Sequence, residues 1–174
     1  MPKIIENIRE KLLTEAKKQV MENGYSAMTI RSVATACGVG TGTVYNYFPS
    51  KDVLVANFML EDWMECIQAI SIGMTEAKDA KAALLCMYEE LVTYKEKYTM
   101  LFNDENAAAS YSASSIQRHS LLRQQLAEPV KIWTSKQSKT DADFLAEFIA
   151  ENMLTWAMTD REFEQIAEVL LQLF

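Results

Sequence analysis

The side chains that carry the clearest chemistry in this sequence lie between residues 41 and 51. Thr41, Thr43, Asn46 and Tyr47 fall on the outer side of a short helical stretch, Tyr45 lies beside them, and Lys51 follows just past Pro49-Ser50. These are hydrogen-bonding or aromatic groups, and none is acidic. A face of this kind suits a groove lined with phosphates and base edges, where a carboxylate would be repelled. Lys51 stands at the start of the next helix, so its ammonium and the first backbone N–H groups of that helix can share one phosphate.

The elements that must position these groups can be read around them. Thr29 has the side chain of an N-cap, with a hydroxyl that takes an orphan backbone N–H. Ile30, Val33 and Ala34 recur at helical spacing and define a buried face. Ala34 and Ala36 are small enough to let a second helix approach. Gly38 fits the residue just past a helix end, where a positive φ is cheap only without a side chain. Val39 fills the inside of the turn. The spacing then predicts a second helix over Thr41–Tyr47, with Val44 and Phe48 turned inward. This is the logic of a helix-turn-helix: a first helix braces a second whose outer face enters a major groove.

Over residues 29–51 the sequence resembles the tetracycline-repressor (TetR) family of bacterial transcriptional regulators. The residues that carry the likeness are Thr29 and Arg31, Ala34 with Gly38-Val39, Thr43-Val44-Tyr45 with Tyr47-Phe48, and Ser50-Lys51. It extends more loosely to about residue 60. Gly40-Thr41 stands where many members carry Ser-Lys or Ser-Arg, so the second helix opens without a positive charge. The resemblance implies DNA contacts from Thr29, Arg31, Thr43, Tyr45, Tyr47 and Lys51, with Thr41 and Asn46 as readers of bases. It also implies an effector pocket in the body of the protein, and pairing of the last two helices with their copies across a two-fold axis.

Charge and composition agree with a DNA-facing head. The net charge is −7, which argues against binding nucleic acid with the whole surface. Residues 1–55 hold seven Lys/Arg against five Asp/Glu, whereas residues 56–174 hold ten against nineteen. No apolar run approaches the ~20 residues of a membrane span, and the charged start MPKIIENIREK has no apolar signal core, so a cytoplasmic protein without membrane partners is expected. Cys37, Cys66 and Cys86 are odd in number and lack C-x-x-C spacing, and read as reduced, mostly buried thiols. His119 is the only histidine, which excludes a histidine-rich metal site and leaves a Ser-His-Asp triad one possible base. No Glu-x-x-His pair offers a carboxylate metal centre in a helical bundle. No catalytic residue, metal or cofactor is expected.

Apolar periodicity predicts an all-α chain: a helix-turn-helix head over residues 1–49 and an effector-binding and dimerisation body over 50–174. The first helix is expected over 3–23. A long helix should run from Ser50 to about Ser71, with Val53, Ala56, Leu60, Trp63, Ile67 and Ile70 as its stripe and Gly73 as its stop. Further helices are expected over 78–97, 115–136 with a kink or break near Ala127 caused by Pro129, from Asp141, and at the C-terminus. A loop or short helix is expected over 103–115 and a polar linker over 136–140. Met59, Trp63, Cys66, Met87, Tyr88, Tyr94, Phe102 and Trp133 are expected to line an adaptable apolar pocket, because methionine is flexible and aromatic tips keep polar handles. Leu145, Phe148, Ile149, Asn152, Trp156, Phe163, Ile166 and Leu170 are expected at a two-fold interface, since a helix-turn-helix reader normally needs two half-sites. Together these features describe a homodimeric regulator, a repressor that leaves a palindromic operator when a small apolar molecule binds the body. The alternative is a helical ligand-binding or scaffolding protein without operator recognition, for which Gly40-Thr41 leaves room.

Overall fold

The computed structural model describes residues 7–107, 115–137, 141–159 and 161–174, and all regular structure among them is helical. In chain order the helices are α1 (Ile8–Asn23), α2 (Ile30–Ala36), α3 (Thr41–Tyr47), α4 (Lys51–Glu76), α5 (Ala80–Lys97), α6 (Thr99–Phe102), α7 (Ser115–Gln137), α8 (Ala142–Ala157) and α9 (Phe163–Leu170), closed by a 3-10 turn over Leu171–Leu173. They form two compact units. One holds Met1–Asp62 with Tyr98–Ala113, the other Trp63–Lys97 with Ser114–Phe174. The long α4 therefore contributes its first half to one unit and its second half to the other.

In the first unit, α1 buries Leu12, Leu13, Ala16 and Val20, α2 buries Ile30, Val33 and Ala34, and α3 buries Val44. Phe48, just past α3, is buried as well. Short helices gain little from their own hydrogen bonds, so their ends are fixed by side chains and turns. The Thr29 hydroxyl accepts from the Ser32 N–H at 3.0 Å, and the Ser32 hydroxyl accepts from the Thr29 N–H at 3.0 Å. This reciprocal cap satisfies two donors that α2 would otherwise leave open. The turn after α2 closes with Val39 N–H donating to the Ala34 carbonyl at 2.9 Å, while Gly38 takes φ +69°. Gly24 ends α1 in the same left-handed region, at φ +83°.

Several expectations change here. Residues 3–6 of the anticipated first helix lie outside the described residues, and α1 starts at Ile8. The α4 stripe is Leu54, Phe58, Asp62, Cys66, Ile70 and Met74, joined by Val55 and Trp63, whereas Val53 and Leu60 are exposed. A carboxylate at the centre of the buried stripe hides it from a reading by apolar spacing. Asp62 is accommodated by Lys17, whose Nζ lies 2.6 Å from Oδ1, and by Tyr98, whose hydroxyl donates to Oδ2 at 2.6 Å.

Gly73 does not stop α4, which continues to Glu76. A Cβ at Gly73 would overlap the sulfur of Cys86 on α5. The glycine serves a close approach of two helices rather than a turn.

In the second unit, α7 and α8 form the most extensive helix pair. Helix α7 runs unbroken through Pro129 to Gln137, because packing along α8 carries the chain past the lost backbone bond. Asp141 caps α8 by accepting from the N–H groups of Asp143 and Phe144 at 3.0 and 3.3 Å. Helix α9 buries Phe163, Ile166, Ala167 and Leu170 as the spacing requires, but Leu173 and Phe174 beyond it are exposed. Of the segment 103–115, residues 105–107 are helical; 108–114 lie outside the described residues, as do 138–140 of the linker.

Candidate nucleic-acid interface

Helix α3 is braced from behind and open in front. Val44 and Phe48 anchor it inward at 0% and 1% exposure, and the Arg9 guanidinium lies 5.8 Å from the Phe48 ring centre. On the other side Thr41, Tyr45, Asn46 and Tyr47 are exposed, Thr43 is half-buried, and Arg31 on α2 is exposed. Among the described residues none of the four exposed α3 side chains makes a side-chain hydrogen bond. They stand as donors and acceptors for base edges or phosphates. Gly40 at the helix start has no side chain to cap it. The Thr29 hydroxyl already accepts within the α2 cap, so its first role is to hold the helix in place.

Lys51 sits in a different setting from the one expected of a solvated phosphate ligand. Its Nζ donates to the Tyr25 carbonyl and lies 3.9 Å from the Tyr25 ring centre. Burial pushes its pKa below the ordinary lysine value, against the pull of Asp104 and Asp52. The Tyr25 hydroxyl donates to Asp52. Asp104 in turn accepts from Ser26 and from the backbone N–H groups of Asn106 and Ala107. Lys51 thus holds the start of α4 against the loop between α1 and α2. Sequence reasoning missed this because the partners, Tyr25 and Asp104, are distant along the chain and carry no motif.

The residues expected to bind a ligand are dispersed. Met59 and Phe102 fall in the first unit, and Trp63, Cys66, Met87, Tyr88, Tyr94 and Trp133 in the second. Trp63, Cys66, Met87, Tyr94 and Trp133 are buried core, with Trp63 and Tyr94 edge to face at 5.3 Å, whereas Tyr88 is half-buried and donates its hydroxyl to the Arg161 carbonyl. A groove of about 460 Å³ opens between α4 and α7, and none of the eight lines it. Its walls are Met64, Glu65, Ile67, Gln68 and Ser71 on one side and Gln125, Glu128, Pro129 and Ile132 on the other.

The residues expected at a two-fold interface also divide. Leu145, Ile149, Phe163, Ile166 and Leu170 are buried within the chain's own core, so they are not surface that a second copy can touch. Asn152 and Trp156 are half-buried and Phe148 is exposed. The apolar groups left outward on these helices are Phe144, stacked on Phe148 at 6.4 Å, together with Val169, Leu173 and Phe174.

The thiols offer little chemistry. Of the three thiols Cys66 alone is buried, and burial pushes its pKa up to about 12. Cys37 and Cys86 are partly exposed but also raised, by burial first and then by nearby glutamates. A raised pKa leaves little reactive thiolate at neutral pH. His119 is exposed on α7 and lies 3.4 Å from Glu151, which Arg123 also takes at 2.8 Å. The hydrogen bond from Arg123 is the main cause that holds the Glu151 carboxyl below the usual range. No group of three or more metal-ligating side chains stands together among the described residues.

A capped α2, a tight glycine turn and an α3 braced from behind with an open polar front define a helix-turn-helix DNA-binding protein. Residues 12–57 match the family described as "Bacterial regulatory proteins, tetR family". Over those residues the chain is similar to that family, and it reads as a DNA-binding transcriptional regulator. It is 23% identical over 174 residues to the fatty acid metabolism regulator protein of Bacillus subtilis, across 90% of this chain and 87% of that one. In fold it is similar to the ligand-free crystal structure of RolR, with TM-score 0.66, 18% identity and coverage of 94% and 88%. It is also similar to AlkX of Dietzia sp., a TetR-family repressor implicated in biodegradation of n-alkanes, with TM-score 0.67, 15% identity and coverage of 94% and 97%. No described helix is long and apolar enough to cross a membrane.

Proposed function

We propose that the protein is a ligand-responsive repressor that binds a palindromic operator as a homodimer in the cytoplasm and has no enzymatic activity. The observation that carries this reading is the α3 face: Thr41, Tyr45, Asn46 and Tyr47 are exposed on a helix whose inner side is fully packed. Thr41 and Asn46 serve base edges, while Arg31, Thr43, Tyr45 and Tyr47 serve phosphates. Lys51 acts mainly by positioning the start of α4. Two heads on adjacent half-sites would stand about 34–36 Å apart.

The second copy docks on the outward apolar groups of α8 and the C-terminal segment, with Phe144 and Phe148 at the centre. An obligate interface of this kind buries more than roughly 2,000 Å² in total. Binding of an effector in the body shifts α4, which contributes to both units, and so weakens operator binding. Coupling of about 1–3 kcal/mol corresponds to a loss of operator affinity of about 5–150-fold. The metabolism of hydrocarbon chains named for two relatives supports an effector with an apolar tail.

The test is a titration of DNA from upstream of the protein's own gene, with sedimentation run in parallel. A dimer that prefers this DNA to random duplex is expected. A protein that sediments as a monomer at micromolar concentration, or binds both duplexes equally, would contradict the proposal.

A further inference from the structure

We propose that the groove between α4 and α7 binds a linear primary alkylammonium, with the tail along the apolar walls and the ammonium between Glu65 and Glu128. The inference rests on the reading above that the body takes an effector, and fixes where that effector sits and what charge it carries. The walls are stripes at steps of three and four residues, Met64 to Ser71 on α4 and Gln125 to Ile132 on α7. Each stripe is about 10 Å long at 1.5 Å per residue, which suits an extended chain.

The two sides of α7 differ in charge. Two of its cations turn toward α8, where Arg123 pairs with Glu151 and Lys131 with Asp143, each at 2.8 Å. The groove is lined by two carboxylates and by no Lys, Arg or His. The body beyond residue 55 is acidic as well, so the field favours a cation and opposes a carboxylate ligand.

The groove is also built to hold its shape. The buried Trp63 indole donates to Gln125 Oε1 at 2.9 Å, and the same amide reaches the Met64 sulfur at 3.5 Å. Pro129 lines the groove as an apolar ring within α7. A primary ammonium can donate to both carboxylates and carries the charge they favour, which neither an alcohol of the same length nor a carboxylate does.

The experiment measures calorimetric binding of octylammonium, octanol and octanoate to the full chain, and to a Glu65→Gln/Glu128→Gln variant. Both carboxylates are exposed, so the variant should fold; its melting temperature and operator affinity without ligand serve as controls. The expected order is octylammonium at least about tenfold tighter than octanol, with octanoate weakest. The variant should lose the preference for the cation and keep its affinity for octanol. Equal binding of octylammonium and octanol, tighter binding of octanoate, or an unchanged preference in the variant would overturn the proposal. So would failure of all three probes with Ile132→Glu converting a dimer into monomers, since a second copy would then cover the groove. None of these outcomes depends on operator binding by the unliganded protein, so they leave the reading as a regulator to its own test.

Discussion

The head around α2 and α3 and the body around α7 and α8 are held by different means. In the head α2 and α3 are only seven residues long, and polar fasteners hold them and their surroundings: the Thr29–Ser32 cap, the Lys17–Asp62–Tyr98 cluster and Lys51 on Tyr25. In the body the helices are longer and the core is apolar, with Ile149, Ala150, Met153 and Ala157 of α8 at 0% exposure, and its ion pairs lie on the surface. The contrast teaches that a short helix with one face kept open for a ligand cannot bury enough to define its own position. Directional bonds at its ends must do so.

Substitutions can break this comparison, and the largest effect should come from the body. Ile149→Ala should cost about 4 kcal/mol in a urea titration, since it removes fully buried methyl groups and leaves a cavity. A loss below about 1 kcal/mol would mean that the α8 core is loosely packed.

Asp62→Ala should follow at about 3 kcal/mol, because it strips a buried acceptor from Lys17 and from the Tyr98 hydroxyl. Lys17 is partly solvated, which keeps the cost below that of a fully buried pair. Hydrogen exchange should show the loss first in α1. A variant as stable as the parent would show that the polar cluster does not hold the head.

Gly73→Ala should cost about 2 kcal/mol by forcing α4 away from Cys86. The double variant with Cys86→Ala should recover most of it, because the sulfur that the new methyl meets is gone. Without that recovery the close approach is not what requires the glycine.

Thr29→Ala should have the smallest effect on stability, about 1 kcal/mol for a lost cap. Operator affinity should fall by more than that loss of stability alone would produce, since the cap sets the position of α2 under α3. Equal small effects on both would reduce Thr29 to an ordinary cap.

The same contrast explains what could be read from the sequence. Thr29, Gly38, Val44 and Phe48 lie within twenty residues of one another and act through local geometry, so residue type alone placed α2, the turn and α3. The stripe of α4 was misread at Val53 and Leu60 because Asp62 belongs to the buried side, and its partners Lys17 and Tyr98 come from distant segments. Gly73 looked like a stop because nothing nearby announces the Cys86 sulfur on α5. Trp63, Met87, Tyr94 and Trp133, expected in a pocket, and most of the α8 and α9 residues expected at an interface, are core instead. Apolar spacing marks the buried side of a helix without saying which surface buries it.

The central claim is that the open face of α3 reads DNA, and the most direct measurement is a salt titration of operator binding by the parent protein and by Asn46→Ala and Arg31→Ala. For Arg31→Ala the account predicts weaker binding to every sequence and a salt slope lower by about one. For Asn46→Ala it predicts an unchanged slope with relaxed preference at one base pair, worth about 1–3 kcal/mol. If both variants keep the parent's affinity, slope and sequence preference, α3 does not face the DNA and the account is wrong.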